Sequence, residues 1–68
     1  MDEILIDWLQ DYVGVDDINE KTQFKDLNFD LFDEAMTVDF VFKAFHKNIN
    51  INNEWFVDVQ SLLDVIKL

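Results

Sequence analysis

Hydrophobic positions along this chain fall into three stretches of helical spacing, separated by a long irregular interval and then a shorter one. From Asp2 to Val13, the residues Ile4, Leu5, Trp8, Leu9 and Tyr12 recur three or four positions apart, the period of one helix face. Asp2 and Glu3 lie where the helix dipole favours negative charge, and Gly14 supplies a natural C-terminal stop. The span Asp30 to Phe45 predicts a second helix. Asp30 can cap it, Asp33 and Glu34 follow in the first turn, and Lys43, His46 and Lys47 gather towards the end. Phe32, Ala35, Val38, Val41 and Phe45 are its expected buried stripe. Yet Met36, Phe40, Phe42 and Ala44 add apolar surface round the rest of the cylinder, which usually means burial on more than one side. Asp58 then caps a last helix whose inward residues are Val59, Leu62, Leu63 and Ile66.

Between the first two helices, Val15 to Phe29 reads as a long connection with apolar anchors at Ile18, Phe24 and Leu27. So long a connection suits a small domain only if its anchors enter the core. Asn48 to Asn52 alternates polar and apolar residues, but a strand without a partner is not stable. It is expected to form a turn with Ile49 and Ile51 tucked inwards, leading to a short helical turn over Asn53 to Phe56. The expected fold is all-α: a four-helix bundle of three main helices and one short one.

Sixty-eight residues make a single domain, one that buries only about 60% of its unfolded surface. Seven Phe, two Trp and one Tyr offset that small size with large apolar areas. The absence of Cys excludes disulfides and thiolate zinc sites. A formal charge of −10 argues against binding nucleic acid or an anionic membrane, because both need a basic face. No signal peptide or apolar span is evident, so a cytoplasmic setting is expected. The acids favour a protein partner with a basic patch, or serve mainly to keep the chain soluble.

Catalytic and metal chemistry finds little footing. Asp26, Asn28 and Asp30 have the opening spacing of a calcium loop, but Leu31 and Thr37 stand where its glycine and glutamate belong. His46 is the only histidine and has no nucleophile near it in sequence. Gly14 is the only glycine, so no phosphate-binding loop is possible. The sequence predicts neither an enzyme nor a cofactor.

The run Phe24-Lys25-Asp26-Leu27-Asn28-Phe29-Asp30-Leu31-Phe32-Asp33 resembles the signature of the acyl carrier proteins: a Phe, an Asp-Leu-Gly, then Asp-Ser-Leu heading helix two. Gly14-Val15 with Ile18, the positions Val38, Val41, Phe45 and Ile49, and the closing run Phe56 with Val59 to Ile66 are similar to the same family in order and spacing. The resemblance implies the acyl-carrier bundle with its long first loop, over nearly the whole chain. It also locates a departure. Carriers attach phosphopantetheine to the serine after the aspartate, and here Leu31 occupies that position, with Asn28 in place of the glycine. No Ser or Thr lies within five residues of Leu31, so the chain resembles the short, serine-less acyl-carrier-like proteins of bacteria.

In that family the acidic second helix docks on partners. The expected contact residues are therefore Asp30, Asp33, Glu34 and Asp39 for charge, with Leu31, Met36 and Phe42 as an apolar patch. The occupant would be a basic protein or a second copy. Two other expectations remain open: a carrier modified at another residue, and an acidic nucleic-acid mimic that inhibits a DNA-binding protein.

Overall fold

The structure, a computed structural model, describes residues 2–50 and 55–68. Three α-helices follow in order: α1 (Asp2–Val13), α2 (Leu31–Phe45) and α3 (Val59–Ile66). A 3-10 turn over Phe24–Leu27 interrupts the long first connection. No strand occurs among the described residues, only an isolated bridge between Gln23 and Asp58. Among the described residues the fold is all-helical, and the three main helices expected from the sequence are present. Residues 53–54 of the short helical turn expected at 53–56 lie outside the described residues, as does Ile51. Trp55 and Phe56, at its end, are not helical.

Local chemistry sets the helix limits. Gly14 stops α1 in the left-handed region at φ 79, a conformation that glycine adopts without a Cβ penalty. Asp30 caps α2 and forms a reciprocal box with Asp33. Its carboxylate accepts the Asp33 amide at 3.0 Å, and the Asp33 carboxylate accepts the Asp30 amide at 3.0 Å. This arrangement satisfies amides that would otherwise be orphaned at the helix start. His46 closes α2 at φ 58, its amide returning to the Phe42 carbonyl.

The core draws on every part of the chain. Leu5 and Leu9 come from α1, Val41 from α2, and Val59, Leu62, Leu63 and Ile66 from α3. Ile18, Phe24, Ile49 and Trp55 fill it from the connections. The loop anchors therefore behave as expected: Ile18 and Phe24 are buried and Leu27 packs against the core. Phe24 stacks on Phe56 at 5.3 Å and meets the Trp55 edge at 5.8 Å, so loop and C-terminal segment share an aromatic cluster. Backbone bonds reinforce the junction. The amides of Val59 and Gln60 donate to the carbonyls of Thr22 and Glu20 at 3.0 and 2.9 Å.

One expectation about α2 is overturned. Its buried residues are Glu34, Thr37 and Val41, whereas Phe32 and Ala35 are exposed. The reason is geometric. A helix turns about 100° per residue, so nine residues from Phe32 to Val41 rotate by about 180° beyond two full turns. Phe32 and Val41 therefore lie on opposite sides. Val38 and Phe45 do pack against the core, as expected.

Candidate functional site: the outer face of α2

α2 is held to α1 along one flank. Trp8 stacks on Phe40 at 4.5 Å with rings 8° from parallel, and also on Tyr12 at 5.0 Å. The Tyr12 hydroxyl donates to the Asp33 carboxylate at 2.6 Å. That bond pushes the Tyr12 phenol up to about 12 and, together with the Asp30 amide, holds the Asp33 carboxyl below its ordinary value. The Asp33 side chain therefore serves the α1–α2 junction and the cap of α2.

Away from the core, much of α2 is exposed to solvent. Leu31 is 70% exposed and Phe32 67%, with Met36 at 38% and Phe42 at 48%. Four large apolar side chains on one 15-residue helix thus meet solvent. Surface apolars are ordinary when scattered, but grouped on one element they mark contact surfaces. Asp39, on the same face, is neutralised locally by Lys43 at 3.0 Å. Asp30 stands exposed at the N-terminal end.

The seven residues expected to bind a partner therefore separate into two groups. Asp30, Leu31, Met36, Asp39 and Phe42 reach the surface. Asp33 is half-buried and occupied, and Glu34 is only 4% exposed. One Glu34 carboxylate oxygen, Oε2, is buried with no hydrogen-bond partner among the described residues, an arrangement that normally destabilises a fold. Phe32 is the site residue missed by the sequence reading. Its signal was the line Phe32, Met36, Asp39 and Lys43, spaced at four, seven and eleven residues along a single helix face.

A cleft of 620 Å³ lies elsewhere, lined by Asp7, Trp8, Gln10, Asp11, Gly14 and Asp16. Gln10 braces it by donating to the Asp16 carbonyl. Among the described residues, no group of three or more His, Cys, Asp or Glu could hold a metal ion. No helix among them is long and apolar enough to cross a membrane.

Neither a family model, nor a curated protein, nor a solved structure matches this chain. The fold and site define a small helical domain with an apolar face on its second helix.

Proposed function

We propose that this chain is a non-enzymatic protein-interaction module, built on an acyl-carrier-like scaffold that has lost its attachment serine. The observation that carries this reading is the exposed cluster of Leu31, Phe32, Met36 and Phe42. The helix order, the long connection pinned by Ile18 and Phe24, and the Asp30 cap directly before Leu31 support the scaffold. Leu31 has no hydroxyl to form a phosphodiester, so the module works without phosphopantetheine, in the cytoplasm of a bacterium. Its acids contribute less to the contact than their number suggests. On the outer face Asp39 is paired, and Glu34 and Asp33 are turned inward.

Photo-crosslinking in the cell that makes the protein tests the reading. A benzophenone side chain in place of Phe32 should give protein adducts, and one in place of Asp7 should give few. Equal yields at both positions would sink it. The carrier alternative is checked by intact mass after incubation with a phosphopantetheinyl transferase and coenzyme A. An unchanged mass is expected, and a gain would return the chain to carrier chemistry.

A further inference from the structure

No further inference is drawn: the strongest candidate, the cleft along α1 and the start of the long connection lined by Asp7, Trp8, Asp11 and Asp16, is an acidic cluster, and nothing in the structure shows what it would hold.

Discussion

α2 and α3 are both apolar helices with an aspartate at the N-cap, but they dispose of their apolar side chains in opposite ways. In α3 the residues Val59, Leu62, Leu63 and Ile66 are all fully buried. In α2 only Val41 is fully buried among the large apolar residues, while Leu31, Phe32, Met36 and Phe42 meet water. Folding accounts for the whole of α3. It leaves part of α2 unexplained, because burial in the monomer gives no reason for those four side chains. That surplus on α2 is the observation on which the proposed contact rests.

Substitution should separate the helices most sharply. Leu62→Ala in α3 is expected to lower stability by about 2–5 kcal/mol in urea denaturation, as large-to-small core changes do. Leu31→Ala or Phe32→Ala in α2 should stay within about 0.5 kcal/mol of the parent, the usual range for exposed sites. Comparable losses at Leu62 and Phe32 would erase the contrast. Glu34 on the inner side of α2 should show the opposite sign. Removing its unpaired buried oxygen by Glu34→Leu is expected to raise stability by about 1–3 kcal/mol. A lower melting temperature would mean that this carboxylate is held in solution by a partner.

Titration then probes the junction between α1 and α2. Absorbance at alkaline pH should give ionisation of Tyr12, the only tyrosine, near 12, and Asp33→Asn should return it towards about 10. Because the folded value is raised, the stabilisation from Tyr12 is complete below about 10 and is lost as pH climbs through 12. Asp33 and Asp58 act at the other end of the scale. The Asp33 carboxyl is lowered first by the Tyr12 hydroxyl, and that of Asp58 by the amide and hydroxyl of Ser61. Their contribution is present above about 4 and lost as pH falls through their folded values. Asp33→Asn should therefore flatten part of the acid limb of a stability–pH profile.

The smallest effect concerns charge as a whole. Two ion pairs, Lys43–Asp39 and Lys67–Asp2, are present among the described residues, both largely exposed. Most acids are thus uncompensated locally, and melting temperature should rise modestly between low and moderate salt. A flat response would mean that the acids are neutralised within the fold.

Much of this architecture was legible in the sequence, because local signals agreed with one another. The spacing of Leu5, Leu9, Leu62 and Ile66, the stop at Gly14 and the caps at Asp30 and Asp58 each depend on neighbours a few residues away. The orientation of α2 was harder to read. Apolar residues surround that helix, so a chain of three-residue steps from Phe32 to Val41 looked like one stripe while drifting by about 60° per step. The buried Glu34 and Thr37 broke the phase further, since polar residues were not candidates for the core. Asp33 appeared to be a free surface acid because its partner, Tyr12, is remote in sequence.

The carbonyls of Thr22 and Glu20 that receive the first amides of α3 also have a kinetic consequence. Eight residues are too few for a helix to persist alone in water, where about 12–15 are marginal. First-turn amides ordinarily exchange with solvent by fraying. Those of Val59 and Gln60 are shut by a segment far upstream, so they open only when the loop leaves the core. Their hydrogen exchange should therefore belong to the slowest class, that of global unfolding. Fraying is left to the other end of α3, where Leu68 is almost fully exposed.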